Sequence, residues 1–247
     1  EHAGSKPIKF LDVAAGPGTL TSSVLRHIHD TSVIESITLT DFSSGMCEVA
    51  DQQLSAFPQW KSIKKEVLPM DGQAMTFEDS IFTHIGCMFG ILFYSDHLKG
   101  MQEIFRVLEP GGQAVIATWK EAGNVALVAE FVATLNLPHY KEDFEAVHEV
   151  VGIDSDPAMF QEELTSVGFR EVVVTPHERD FSLPNTIDTY LGFINNPCIS
   201  KVMNGQDTVS LFPKWQEFLT SEAGKHWLDK DGRLVLTFTA NIAIATK

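Results

Sequence analysis

The sequence predicts an α/β fold in which a doubly wound, mostly parallel sheet of seven strands carries helices on both faces. Short apolar runs alternate with amphipathic segments of helical length, which is typical of such a sheet. The first apolar run ends in a small-residue turn that leads directly into a helix. The last apolar run is long, partly alternating and preceded by the turn signal Asp231-Gly232, so we expect an antiparallel strand at or near the sheet edge.

The individual elements follow from these patterns in order along the chain. Apolar runs predict strands at residues 10–13, 36–40, 63–67, 82–89, 113–119, 171–175 and 234–246. Amphipathic segments predict helices at residues 20–29, 45–57, 97–108, 125–135, 157–167 and 186–194. Asp96 is a suitable N-cap for the third helix, and Gly168 follows the fifth helix where a left-handed cap is expected. Right-handed crossovers then place the carboxyl ends of the parallel strands, and any ligand, along one edge.

Composition limits the classes of protein to which the chain can belong. It has 247 residues, of which 44% are hydrophobic, so it can bury a full core. We expect a single domain over residues 1–247, with a cofactor-binding half at 1–119 and a substrate-binding half at 120–247. The formal net charge of -15 argues against nucleic acid or an anionic membrane surface as a partner. No apolar run approaches the roughly 20 residues that span a bilayer.

The cysteines form no metal-type or redox-type spacing; they are Cys47, Cys87 and Cys198. We therefore expect no metal site and a reducing, cytoplasmic location.

The turn after the first strand is suited to a nucleotide-type ligand. Its sequence is DVAAGPGT at residues 12–19, in which Gly16 and Gly18 allow close approach of the backbone to a ligand. The helix that follows offers unpaired N–H groups. Thr21 stands where a nicotinamide-binding fingerprint has its third glycine, and no Walker lysine is present, so these two classes of nucleotide site are disfavoured.

An aspartate stands at or near the end of each of the first three predicted strands. Asp12 could bind an ammonium group or orient the N–H groups of the loop, and Asp41 suits bidentate hydrogen bonds to a ribose diol. Asp71, beside Gly72, could accept from an exocyclic adenine amine. Singly, each is better interpreted as a solvated loop or cap residue. Their recurrence at successive strand ends favours a shared site.

Two motifs together carry a resemblance to a known family. The sequence FRVLEPGG at residues 105–112, beside DVAAGPGT at 12–19, resembles the class I S-adenosylmethionine-dependent methyltransferases, above all the small-molecule branch with the ubiquinone-biosynthesis enzymes. The resemblance is close over residues 10–119. Residues 177–247 are loosely similar to fungal secondary-metabolite methyltransferases of the gliotoxin bis-thiomethyltransferase type. The resemblance to class I methyltransferases implies a Rossmann-like sheet with an antiparallel last strand and a helical cap. It also implies S-adenosylmethionine as cofactor and S-adenosylhomocysteine as its product.

The resemblance also implies roles for the residues that match the family's motifs. The residues implied to hold the methionine moiety are Asp12, Ala14, Gly16 and Gly18. Those implied to hold the ribose and adenine are Asp41, Phe42, Met46, Asp71 and Gly72. Met88 is implied to line the cofactor near the reactive methyl. Ala14 departs from the glycine common at that position, and a positive φ there would be costly for alanine.

Candidates for acceptor binding are aromatic side chains and a histidine expected above the carboxyl ends of the strands. They are Phe89, Phe93, Tyr94, Trp119, His148, Tyr190 and Phe193. Core packing is the alternative for each aromatic residue, and a structural role is the alternative for His148 as a general base. No other catalytic residue is assigned. The apolar segment at residues 181–227 is expected to form helices over the pocket or, alternatively, a dimer surface.

The sequence thus predicts methyl transfer from S-adenosylmethionine to a small-molecule acceptor, namely a hydrophobic or aromatic metabolite of moderate size. The protein is expected to be a monomer or a homodimer. The acceptor atom is left open among sulfur, oxygen, nitrogen and carbon, with the resemblance favouring a thiol and secondary metabolism. Two alternatives remain: a non-catalytic cofactor sensor or partner-binding scaffold, and the same fold recruited for another reaction. Relatives usually carry helices before the first strand, so we expect a segment before Glu1 to be absent, disordered or cleaved.

Overall fold

The computed structural model describes residues 7–137, 156–196, 199–200, 202–203 and 205–247. Its strands are β1 (Ile8–Val13), β2 (Ile34–Asp41), β3 (Lys64–Pro69), β4 (Phe82–Met88), β5 (Leu108–Ala122), β6 (Arg170–Leu183) and β7 (Leu234–Thr246). The described α-helices are α1 (Thr19–His27), α2 (Ser44–Leu54), α3 (Pro58–Ser62), α4 (His97–Val107), α5 (Gly123–Thr134), α6 (Pro157–Val167), α7 (Ile187–Ile194) and α8 (Phe212–Thr220). None of these helices has the length and apolar character that crossing a bilayer requires.

The strands form one sheet in the order β3-β2-β1-β4-β5-β7-β6. Strand β1 is paired in parallel with both β2 and β4, so the chain reverses its direction of travel across the sheet beside β1. The carboxyl ends of β1, β2, β3 and β4 therefore lie along the same edge. This arrangement confirms the predicted doubly wound α/β fold.

Strand β7 runs antiparallel to its neighbour β5, as the sequence predicts. The N–H of Gly111, near the start of β5, donates to the carbonyl of Lys247, and the N–H of Lys247 donates to the carbonyl of Gly112. These bonds join the beginning of one strand to the end of the other. Strand β7 lies second from the edge, and β6 is the edge strand, with residues 175–182 exposed.

The chain divides into two compact units, and each has its own core. Unit 1 comprises residues 1–118, 156–175 and 242–247, and unit 2 comprises residues 119–155 and 176–241. The core of unit 1 is built around buried residues such as Leu11, Ile85, Ile104, Leu39 and Trp60. The core of unit 2 is dominated by aromatic and aliphatic side chains on its helices, among them Phe131, Tyr190, Trp215 and Phe218.

Local sequence signals explain where the helices begin and end. The Asp96 carboxylate accepts from the N–H of Lys99 at 3.0 Å, which confirms it as the N-cap of α4. Gly168 ends α6 with a φ of +120°, a conformation that L side chains rarely adopt. The Ser43 hydroxyl accepts from the N–H of Met46 and caps α2.

Candidate cofactor site

The buried carboxylate of Asp12 fixes the start of α1. One of its oxygens, Oδ2, accepts from the N–H of Thr21 at 3.2 Å and from the Thr21 hydroxyl at 2.7 Å. Gly18, the N-cap of α1, has no side chain to supply this bond, so Asp12 supplies it from the neighbouring strand. The orienting role suggested for Asp12 therefore falls on the first turn of α1 and not on the N–H groups of Gly16 and Gly18.

Burial has a direct electrostatic consequence for Asp12. Desolvation raises the pKa of its carboxyl from 3.8 to about 6, although the hydrogen bonds from Thr21 oppose this shift. The nearby charge of Asp41 raises the pKa further. The carboxyl therefore changes its charge close to neutral pH.

The loop between β1 and α1 takes up positive φ angles at three positions. They are +52° at Ala14, +53° at Gly16 and +78° at Gly18, so the alanine is held in a conformation that favours glycine. Leu54, Ala50 and Leu39 surround the position that a Cβ on Gly18 would occupy, whereas nothing lies within 4 Å of that position on Gly16. The loop is thus packed on one side and open at Gly16.

Asp41 at the end of β2 ties this loop to the sheet. Its Oδ2 accepts from the N–H of Gly16 at 2.8 Å, and its Oδ1 accepts from the N–H of Ser43 at 2.9 Å. Phe42 follows directly and is 82% exposed, and Met46 is also exposed. A carboxylate with two exposed apolar side chains close by in sequence suits a ligand that combines hydroxyl groups with an aromatic ring.

Asp71 lies in the loop after β3 and belongs to a small hydrogen-bonded group. Its Oδ1 accepts from the backbone N–H of Gln73 at 2.8 Å and from the Gln73 side-chain amide at 3.2 Å. The loop is joined back to β2, because the N–H of Met70 donates to the carbonyl of Asp41 at 2.8 Å. Gly72 sits against the Tyr94 ring, so closely that a Cβ there would lie 1.9 Å from the phenol oxygen. The predicted adenine-edge residues are therefore close to the segment that follows β4.

The segment after β4 contains an unusual backbone conformation. Phe89 has a φ of +62°, which is rare for a bulky side chain and marks strain that folds usually retain at functional sites. Met88, directly before it, ends β4 half-buried. A 3-10 turn, Ile91–Phe93, follows, and Phe93 at its end is 64% exposed. Of the predicted acceptor-side residues, Phe89, Phe93 and Tyr94 thus lie within this one segment of unit 1.

Unit 2 contains three other predicted acceptor-side residues, Trp119, Tyr190 and Phe193. Tyr190 is fully buried in the core of unit 2, with its hydroxyl donating to the carbonyl of Thr208 at 2.8 Å, so core packing accounts for it. Trp119 packs on Phe238, and Phe193 is half-buried against the core of unit 2. His148 lies outside the described residues. Within the described ranges, no cluster of His, Cys, Asp or Glu could hold a metal ion.

Sequence reasoning missed two side chains that hold this site together. In the sequence Thr21 stands out only as a departure from a nicotinamide fingerprint, yet its hydroxyl donates to the Asp12 carboxylate. Gln73 was not singled out, although it connects Asp71 to the segment after β4. The sequence does contain a signal for Thr21: it is a polar residue in the first turn of a helix, nine positions after an aspartate at a strand end. No comparable signal exists for Gln73.

The strand order and the antiparallel β7 define a Rossmann-like protein, and the small-residue loop at its switch point is of a kind that suits a nucleotide-type ligand. The chain belongs to the ubiE/COQ5 methyltransferase family, whose model matches residues 1–133. This match confirms the family resemblance that the sequence motifs indicate.

Individual relatives agree with the family assignment. Methyltransferase tpcH of Aspergillus fumigatus is 26% identical over 185 residues, which are 72% of this chain and 63% of tpcH. The ubiquinone/menaquinone biosynthesis C-methyltransferase UbiE of Geobacter sulfurreducens is 33% identical over 108 residues, which are 44% of this chain and 40% of UbiE. The chain thus spans less than two thirds of the length of these curated relatives.

Solved structures support the fold. The YcgJ protein from Bacillus subtilis is 18% identical and superimposes with a TM-score of 0.58, covering 99% of this chain and 94% of YcgJ.

Proposed function

We propose that this protein transfers the methyl group of S-adenosylmethionine to a small-molecule acceptor. The observation that carries the proposal is the set of aspartates at the carboxyl ends of β1, β2 and β3, among which Asp41 is bonded to the open loop at Gly16. Membership of the ubiE/COQ5 methyltransferase family supports the same cofactor.

The residues of unit 1 fit the three parts of this cofactor. Asp41 is the acceptor for the ribose hydroxyls, and the exposed Phe42 and Met46 offer apolar surface to the adenine. Both hydrogen bonds to Asp71 fall on Oδ1, which leaves Oδ2 for the exocyclic amine of adenine. The open side of Gly16 is the place for the methionine moiety, because no atom lies where a Cβ would project.

The bound cofactor supplies an electrophilic methyl group on a sulfonium, and the protein's task is to position it. Holding two reactants in line can contribute several kcal/mol to the lowering of a barrier. Asp41 and Asp71 hold the cofactor from the ends of two neighbouring strands, and Asp12 fixes the start of α1 behind the loop, so that the methyl position is determined relative to the sheet. Met88 at the end of β4, with Phe89 and Phe93 after it, offers apolar surface to the acceptor. We assign no general base among the described residues, and a thiol acceptor, which the resemblance favours, needs little assistance with its proton.

The apolar side chains around the end of β4 support a hydrophobic acceptor. We propose a hydrophobic or aromatic metabolite with a sulfur, oxygen, nitrogen or carbon nucleophile. The loose similarity to the gliotoxin-type enzymes favours a thiol of secondary metabolism, and similarity to UbiE, named as a C-methyltransferase, makes carbon its rival. Mass spectrometry and NMR of the methylated product distinguish these acceptor atoms. We further propose a cytoplasmic protein that does not bind nucleic acid.

Isothermal titration with S-adenosylhomocysteine tests the cofactor site. Asp41→Asn removes the charge that strengthens the ribose hydrogen bonds, so we expect the affinity to fall by about 10-fold to 100-fold. Asp188→Asn, in an exposed first turn of α7, is the matched control and should leave the affinity unchanged. A folded wild-type protein that gives no binding heat would overturn the proposed function.

Transfer of label from methyl-labelled S-adenosylmethionine into a metabolite extract tests the reaction itself. Methyl transfer predicts a labelled product together with S-adenosylhomocysteine. A cofactor sensor instead predicts tight binding without turnover on any acceptor.

A further inference from the structure

We propose that Gln73 is a positioning residue that couples the cofactor side of the site to its acceptor side. This inference rests on the proposed function and goes beyond it, because it links the two sides of the site through one side chain. Gln73 itself lies in the loop after β3, two residues beyond Asp71. Its side-chain amide makes hydrogen bonds in two directions, and each end serves a different half of the site.

The amide nitrogen of Gln73 serves the cofactor side. It donates to Asp71 Oδ1 at 3.2 Å, alongside the backbone N–H of the same residue at 2.8 Å. Together these two donors fix the plane of the Asp71 carboxylate. The orientation of Oδ2, the proposed partner of the adenine amine, therefore depends on Gln73.

The amide oxygen of Gln73 serves the acceptor side. It accepts from the Ser95 hydroxyl at 3.0 Å and from the backbone N–H of Asp96 at 2.9 Å. Asp96 in turn caps α4. The Gln73 oxygen therefore holds the end of the segment after β4, which carries Phe89, Phe93 and Tyr94, against the loop after β3.

Tight packing beside these bonds makes the coupling stiff. The Tyr94 ring lies between Gly72 and Gly100, and a Cβ on either glycine would approach the tyrosine within 1.9 Å and 2.3 Å respectively. Close-packed interiors transmit displacements instead of absorbing them. A shift of the Asp71 loop when adenine binds is therefore passed to Tyr94 and to the 3-10 turn before it.

The consequence is that binding of the cofactor stabilises the acceptor side of the site. When adenine engages Asp71, Gln73 is held more firmly, and the segment from Ile91 to Asp96 becomes more strongly ordered for the acceptor. The amides of Phe93, Tyr94 and Asp96 are hydrogen-bonded to Gly90, Ile91 and Gln73, so their exchange with solvent reports this ordering.

Hydrogen exchange with and without S-adenosylhomocysteine tests the coupling in the full chain. In the wild-type protein we expect saturating S-adenosylhomocysteine to slow exchange at Phe93, Tyr94 and Asp96 by about tenfold. Gln73→Met keeps the length of the side chain but removes both of its polar ends. We expect it to weaken binding by about tenfold and to abolish the added protection even at saturation. Gln102→Met, on the exposed side of α4, is the matched control and should behave as the wild type.

A second variant separates the two ends of the side chain. Gln73→Glu keeps an oxygen for Ser95 and Asp96 but places a carboxylate beside Asp71, so we expect weaker binding with the protection retained. This combination distinguishes coupling from general loosening of the fold, and it decides the question even if Gln73→Met does not fold. Normal binding and full protection in Gln73→Met, or loss of protection in Gln73→Glu, overturns the coupling alone. No binding by the folded wild type overturns the coupling together with the proposed function.

Discussion

Asp12 combines a structural bond with a titratable group in a buried position. Its folded-state pKa of about 6 lies above the unfolded value of 3.8, so the folded state favours the protonated form. The associated stability is fully present below the unfolded pKa and is lost as the pH rises through about 6. This difference in pKa corresponds to about 3 kcal/mol in the free energy of unfolding.

Asp12→Asn removes this titration while keeping an oxygen that can accept from Thr21. We expect the free energy of unfolding of Asp12→Asn, relative to the wild type, to rise by up to about 3 kcal/mol between pH 4 and pH 8. Urea unfolding of both proteins across this range measures the difference. Asp188→Asn serves as the control; the same trend in that exposed variant would assign the effect to overall charge and not to Asp12.

Gly16 and Gly111 share a backbone conformation but not a role in the site. Both have positive φ, and a Cβ on either would meet no atom within 4 Å. We expect Gly16→Ala and Gly111→Ala each to lower the free energy of unfolding by about 1 kcal/mol, the cost of a left-handed alanine. Only Gly16→Ala should also weaken binding of S-adenosylhomocysteine, by tenfold or more, because its methyl group enters the open side of the loop. Equal affinities in the two variants would place the ligand elsewhere.

At the scale of elements, Arg106 connects α4 to the loop between β3 and β4. Its guanidinium donates to Glu103, to Asp79, and to the carbonyls of Met75 and Phe77. The Glu103 carboxylate also accepts from the N–H of Met75 at 2.7 Å. The loop that carries Asp71 and Gln73 is therefore held at its far end by one planar, multiply bonded side chain.

Arg106→Lys keeps the charge but cannot reproduce the planar array of donors. We expect it to lower the free energy of unfolding by about 2 kcal/mol and to speed hydrogen exchange in residues 75–79. Arg179→Lys on the exposed part of β6 is the matched control, since Arg179 donates only to the adjacent carbonyl of Glu178 among the bonds described for it. A change of less than 0.5 kcal/mol in Arg106→Lys would show that the loop is held by its backbone.

The observed bounds of the helices and strands agree with the predicted ones where the sequence carries a local signal for the end of an element. Asp96 and Gly168 mark helix ends through their own chemistry, so the predicted bounds of α4 and α6 agree with the structure to within one residue. Strands β5 and β6 extend well beyond the predicted 113–119 and 171–175, because their added residues are largely polar and exposed and lack an apolar pattern. Helices α3 and α8 were not predicted as separate elements, since each is short and begins near a proline.

At the scale of the whole molecule, binding and folding are linked. A ligand that binds only the folded state at one hundred times its dissociation constant adds about 2.7 kcal/mol of stability. If S-adenosylhomocysteine binds unit 1, we expect the slowest-exchanging amides of β1 to exchange about 100-fold more slowly at that concentration. Asp41→Asn at the same ligand concentration is the control and should show a much smaller effect.

The whole-molecule organisation could be predicted only in part. The strand-end positions of Asp12, Asp41 and Asp71 follow from periodicity alone, because a parallel sheet brings such ends to one edge. The assignment of residues 156–175 and 242–247 to unit 1 depends on contacts between distant parts of the chain, which no local pattern encodes. The same holds for Gln73, whose partners Ser95 and Asp96 are more than twenty positions away.

The exposed edge strand β6 has a consequence for handling and engineering the protein. The outer, unpaired edge of such a strand is a template on which another chain can add, and natural sheets protect it with proline and charge. Here Pro176 interrupts the edge, and the charged Glu178, Arg179 and Asp180 follow it in solvent. Replacing these residues by β-branched apolar ones would promote fibrillar self-association at high concentration. Surface redesign should therefore keep the proline and the charged residues of β6.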